Sequence, residues 1–251
     1  MSDLLVRRRR LLGPNVPTFY EAPVHLVRGQ GVWLWDAEGR RYLDCYNNVA
    51  HVGHCHPKVV EAICRQSGVL NTHTRYLHEG ILDYAERLTG KLGHDLSQVI
   101  MVCTGSEAND TILRLVRHFW AVQDKPQKNI FIGRHNGYHG TTMAGASLGG
   151  MAGMHKQGGL PIPDIHHIDP PFWFADGGDL PPEEYGLAAA RRLEQKILEL
   201  GPDRVAAFIG EPIMGAIGVY IPPMSYWPEI ERICRKYDVL LVADEVICGF
   251  G

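Results

Sequence analysis

The sequence predicts an α/β fold: a mostly parallel sheet covered by helices, preceded by an antiparallel meander. Two observations carry this. Beyond about residue 99, short apolar runs alternate with longer amphipathic ones, the pattern of parallel strands joined through helices. Residues 239–243 (VLLVA) are five consecutive apolar residues, as in a strand buried on both faces. Asp244 and Glu245 follow directly. Ligands of open α/β sheets bind beyond the carboxyl ends of the strands. A buried, unpaired carboxylate costs several kcal/mol, so a cationic partner is expected there.

The elements follow from punctuation. Residues 1–22 are expected to be irregular, with Pro14 and Pro17 inside them and Pro23 next. Alternating runs at 24–28, 32–36 and 41–45, separated by Gly29-Gln30-Gly31 and Ala37-Glu38-Gly39, predict the meander. Pro57 opens a helix over 57–67, and Ile81, Leu82, Ala85 and Leu88 give helical spacing to 79–92. Core strands are expected at 99–103, 129–132, 205–209 and 239–243, with helices at 107–122, 183–200 and 226–236. Between 141 and 182 the chain is rich in Gly and Pro and reads as a long functional loop. Residues 1–69 are assigned to an N-terminal segment belonging to a small domain, and 70–251 to a large domain.

Composition narrows the function. The 251 residues are 45% hydrophobic, with a formal net charge of -3 and a pI near 6.5, which argues against a nucleic-acid partner. No apolar run approaches the length of a membrane span, and no signal-peptide core follows Arg7-Arg8-Arg9-Arg10, which reads as a solvated tail. Cys45, Cys55, Cys64, Cys103, Cys234 and Cys248 form no CxxC pair, as expected of reduced thiols in the cytoplasm. His51, His54, Cys55 and His56 lie close together, but no second ligand cluster accompanies them, and no metal is expected.

The strand ends carry the chemistry. The run at 99–103 leads into Thr104-Gly105-Ser106-Glu107 and a helix, whose amino terminus offers a phosphate site; Ser106 reads equally well as a helix cap. The next strand leads into Gly137-Tyr138-His139-Gly140, where an aromatic between glycines can lie over a flat ligand. The third ends in Gly210-Glu211-Pro212 and the fourth in Asp244. A phosphate, a flat ring and a basic ring nitrogen together describe pyridoxal phosphate. A carboxylate beside its pyridine nitrogen keeps the ring protonated and electron-withdrawing. A nucleotide hydrolase would need GxxxxGK[ST], but Gly90-Lys91 is followed by Leu92.

These residues resemble those of the class III pyridoxal-phosphate aminotransferases, of fold type I, along nearly the whole chain. RGQGVWLWDAEGRRYLDC, TGSEAND, NGYHGTT, GEPIMGAIG and LLVADEVICGFG are similar to family motifs in the family's order. The resemblance implies cofactor binding by Thr104, Gly105, Ser106, Tyr138, His139, Asp244 and Val246, with Tyr138 on one ring face and Val246 on the other. It makes Asp244 and Glu211 catalytic, with Asp244 on the pyridine nitrogen and Glu211 near the cofactor. The family's Schiff-base lysine follows the Asp-Glu-Val strand by several tens of residues, so the chain is expected to be truncated, inactive by itself, and a homodimer when full length. Two regions bear on the substrate. LDCYNNVAHVGHCHP resembles phospho-lyases of phosphorylated amines, with Asn48 on the pocket floor. SLGG, KQGGLPIPDI and DEVICGFG resemble pyruvate-dependent ω-transaminases, which pass an amino group from an amine or amino acid to a 2-oxo acid.

Overall fold

The computed structural model describes residues 3–47, 50–93 and 96–250. The chain divides into two compact units, Met1–Asp83 and Tyr84–Gly251.

The first unit holds helix α1 (Asp3–Leu12), strands β1 (Leu26–Gln30), β2 (Trp33–Asp36) and β3 (Arg41–Leu43), and helix α2 (Pro57–Ser67). Helix α3 (Glu79–Leu92) spans the division. The expected meander is present as an antiparallel sheet in the order β1-β2-β3. The amino terminus corrects the sequence reading: residues 3–12 are helical, not irregular. Asp3 in the first turn and Arg9 and Arg10 in the last turn oppose the helix dipole at both ends, and Gly13 (φ 89°) with Pro14 stops the helix. The histidine-rich loop folds back on the meander. Gly31 and His54 exchange backbone hydrogen bonds of 2.9 and 2.8 Å, and His54 Nε2 lies 2.6 Å from Asp44 Oδ2. The Asn47 amide and His54 hold the Asp44 carboxyl well below the usual range. Asp36 is buried; Phe19, Tyr46 and Leu77 are exposed.

The second unit contains α4 (Gly105–Val122), β4 (Ile130–Arg134), α5 (Met143–Leu148), α6 (Ala152–His155), β5 (Ile165–Ile168), α7 (Trp173–Asp176), α8 (Pro182–Leu200), β6 (Val205–Gly210), α9 (Tyr226–Lys236) and β7 (Leu240–Ala243). Its sheet runs β5-β4-β6-β7 with every pair parallel, so all four carboxyl ends lie along one edge. Ile130, Ile132, Val205 and Phe208 pack with the α8 stripe of Tyr185, Ala189, Leu193 and Ile197 and with Ile230 and Ile233 of α9. Phe131, Ala206, Ala207 and Ile209 face the other way, onto Leu113, Val116 and Trp120 of α4. Ala206 and Ala207 share that side because the β4–β6 register shifts there, interrupting the two-residue alternation.

Three strand expectations change. The 239–243 run forms β7 as an edge strand with Leu241 exposed, not a strand buried on both faces, because β6 is its single neighbour among the described residues. Residues 99–103 form no strand; Ile100 and Val102 are exposed, and the segment joins no ladder among the described residues. Apolar, β-branched composition does not make a strand where no neighbour takes up the backbone groups. Conversely, β5 lies inside the stretch expected to be one long loop. Its sequence, IHHI, is too short for periodicity to show; pairing of Phe131 with Ile165 through Arg134 with Ile168 makes it a strand.

β5 also carries a pH-sensitive contact. Nε2 of His167 donates to the carbonyls of Ser147 (3.1 Å) and Leu148 (3.2 Å), and the rings of His135 and His155 lie 5.5 and 5.2 Å away. Burial, and then the two neighbouring histidines, push the His167 pKa down to about 4. The unfolded chain, with an ordinary histidine pKa near 6.5, therefore binds this proton first. The stabilisation is complete above about pH 6.5 and is lost as the pH falls towards 4, at about 1–3 kcal/mol by linkage. Urea unfolding at stepped pH should show this slope, and His167→Gln should flatten it. An equal slope in both proteins would refute the assignment.

Candidate active site

The amino terminus of α4 is built by a capping pair. Thr104 is the N-cap, its hydroxyl accepting the Glu107 amide at 3.1 Å, while Glu107 Oε2 accepts the Cys103 amide at 2.7 Å. Ser106 is thus not the cap. It lies in the first turn, where its Oγ accepts the Thr141 amide at 3.2 Å, and Thr142 Oγ1 donates to Asp110 at 2.7 Å. The α4 terminus and the loop after β4 approach so closely that a Cβ on Gly140 (φ 117°) would overlap Ser106. Gly105 meets the chain beyond β7: a Cβ there would lie 2.7 Å from Val246 Cγ2.

Asp244 follows β7, its amide bonded to the Gly210 carbonyl at 3.0 Å. Its Oδ2 accepts from Asn109 Nδ2 at 2.9 Å and from His139 Nδ1 at 2.7 Å. Its Oδ1 accepts only the longer 3.2 Å bond from the Val246 amide. Asn109 also donates to the His139 carbonyl at 2.8 Å, which ties the loop after β4 to α4. All three side chains are buried, and His139 Nε2 has no hydrogen-bond partner among the described residues. Burial alone would raise the Asp244 pKa. The hydrogen bond and charge of His139, with the Asn109 amide and the Val246 N–H, outweigh it and hold the carboxyl below its ordinary value. The partner expected at this strand end is therefore a histidine and a carboxamide.

Glu211, directly after β6, is also buried. Its Oε1 accepts the Tyr138 amide and its Oε2 the Gly215 amide, both at 3.1 Å. The Tyr138 side chain is accessible at 37% exposure, whereas the backbone beneath it is pinned.

Thr104, Gly105, Ser106, Tyr138, His139, Glu211, Asp244 and Val246 thus gather at one sheet edge through the contacts just given. Asn48 lies outside the described residues. Asn109 was missed as a site residue. Its signal was its place four residues before Leu113, on the α4 stripe that continues through Val116 and Trp120. Lys128, a buried lysine, is at the wrong end of the sheet. Its Nζ donates to the carbonyls of Tyr237 (3.3 Å) and Asp238 (2.6 Å), which precede β7.

The Aminotransferase class-III family model matches residues 17–251. A putrescine–pyruvate aminotransferase of Pseudomonas aeruginosa is 48% identical over 231 residues, covering 90% of this chain and 51% of that protein. A diaminobutyrate–2-oxoglutarate transaminase of Halomonas elongata is 37% identical over 92% of this chain and 51% of its own. Among solved structures, the omega transaminase of Pseudomonas jessenii in complex with PMP superposes with a TM-score of 0.88 at 36% identity, over all of this chain and 57% of that one. The chain spans about half the length of the curated relatives it matches.

Proposed function

The chain belongs to the class-III aminotransferases, and from that premise we propose that the complete protein is a pyridoxal-phosphate-dependent transaminase moving an amino group from an aliphatic ω-amine of the putrescine type to pyruvate. The observation that carries this reading is the buried Asp244–His139–Asn109 cluster at the carboxyl end of β7. A carboxylate kept charged inside the fold, with Oδ1 engaged by one long bond, is suited to accept a hydrogen bond from a protonated ring nitrogen.

The neighbouring groups fit the same cofactor. On this reading the first-turn amides of α4 and the Ser106 hydroxyl bind the phosphate, which the helix dipole favours. Thr104 acts through the backbone, since its hydroxyl caps the helix. Gly105 leaves room for Val246, which together with the Tyr138 ring would confine a flat group between them. When bound, pyridoxal phosphate supplies the electron-accepting ring that stabilises charge on the substrate carbon. His139 and Asn109 hold the Asp244 carboxylate in place and ionised, so no reorganisation is needed as charge develops. Glu211 fixes the Tyr138 backbone through the Tyr138 amide. The covalent lysine is assigned to the part of the complete protein beyond the matched half. Solvent-exposed Phe19, Tyr46 and Leu77 in the first unit favour a homodimer, and cytoplasmic location accords with the six free cysteines.

The test is alanine formation by the full-length protein from putrescine and pyruvate with pyridoxal phosphate present. Alanine formed in proportion to putrescine consumed supports the reading. Release of inorganic phosphate from a phosphorylated amine, without alanine formation from any ω-amine, would replace it with a phospho-lyase.

A further inference from the structure

Arg134, the last residue of β4, is 1% exposed, yet no carboxylate lies within ion-pairing distance of it among the described residues. A buried, unpaired guanidinium is costly and survives only where its hydrogen bonds matter. Its Nη2 donates to the Glu211 carbonyl, and its Cζ sits 5.4 Å from the centre of the Trp227 ring. Among the described residues Nε and Nη1 meet no acceptor at hydrogen-bond geometry; the Tyr226 hydroxyl, whose pKa burial raises and the guanidinium partly pulls back, lies beside them. The well-formed hydrogen bond of this cation is thus made to a backbone oxygen.

That oxygen belongs to the residue whose carboxylate returns the contact. Glu211 Oε1 accepts the Tyr138 amide, and Tyr138 lies four positions after Arg134 on the loop leaving β4. Between them, the Gly137 amide closes a turn onto the Arg134 carbonyl at 3.0 Å. The two strand ends thus hold each other in both directions: the β4 side chain grips the backbone just beyond β6, and the side chain just beyond β6 grips the backbone beyond β4. Gly210 leaves room for this guanidinium: a Cβ there would lie 3.1 Å from Cζ.

We propose that Arg134 is a positioning residue: by holding the Glu211 backbone it aims the Glu211 carboxylate at the Tyr138 amide and so sets the platform on which Tyr138 presents its ring. The proposal rests on the cofactor reading for the purpose of that platform, but the clasp itself is a property of the free chain.

The clasp is tested without ligand, by amide hydrogen exchange of the isotopically labelled full-length protein. Arg134→Met should speed exchange of the Tyr138 amide at least tenfold, leaving the Phe131 and Ile132 amides of β4 unchanged. Arg134→Lys, which keeps the charge and a donor, should restore much of the protection and serves as the working variant if the methionine protein fails to fold. Unchanged Tyr138 exchange in the folded variants, or equal acceleration throughout β4, would overturn the proposal. Fluorescence titration with pyridoxamine 5′-phosphate is the second arm. Weaker binding in Arg134→Met, in step with Tyr138 exchange, connects the clasp to the platform. Absence of binding by the unaltered full-length protein would count against the cofactor reading while leaving the exchange result to judge the clasp.

Discussion

Asp244→Asn is expected to cut turnover of the complete protein about 100-fold or more while leaving the fold in place. The substitution preserves shape, but it removes the charge that Asn109 and His139 hold at 2.9 and 2.7 Å. A carboxamide cannot accept from both donors and also keep a ring nitrogen protonated. Tyr138→Ala should behave differently. It removes a ring face and little else, so cofactor affinity should fall by roughly 1 kcal/mol or somewhat more, with the rate at saturating cofactor less affected. Half-reaction rates and cofactor titrations on both variants separate the two roles. Near-normal turnover in Asp244→Asn would make the cluster structural and would remove the central support for the mechanism.

Gly140→Ala is expected to cost about 3 kcal/mol or more in stability. Two penalties add. The residue has φ 117°, a conformation L side chains rarely adopt, and its Cβ would come within 2.9 Å of the Ser106 Cα, backbone that cannot turn aside. The loop after β4 would have to retreat from the α4 terminus, taking the Thr141–Ser106 bond with it. Gly153→Ala is the control: it lies in α6 with nothing within 4 Å of a Cβ, and should be neutral or slightly stabilising. Equal urea midpoints for the two variants would show that the close approach is not obligatory.

Much of the site could be read from local pattern. VLLVA followed by Asp244 placed a carboxylate at a strand end, and the structure puts it beside Gly210 at the end of β6. The helices at 57–67, 79–92 and 226–236 appear with the expected bounds, because their apolar spacing is local. The failures were equally local. Residues 99–103 have the composition of a strand but no ladder, and IHHI has a ladder but hardly any pattern.

The sequence by itself determined which residue types stand at these positions: a small-residue turn before α4, an aromatic between glycines after β4, and carboxylates after β6 and β7. Those motifs lie in consecutive residues, so their chemistry was visible without contacts. Only the tertiary structure decided who partners whom. Asn109 and Asp244 are 135 residues apart, His139 and Asp244 105, and Arg134 and Glu211 77. Parallel strands return to the same edge only after a full crossover, so their carboxyl ends meet across long stretches of chain that no local period encodes. For that reason the sequence could not show that Ser106 Oγ takes the Thr141 amide, 35 residues on. For the same reason the buried guanidinium of Arg134 gave no sign in the sequence of the carbonyl it grips.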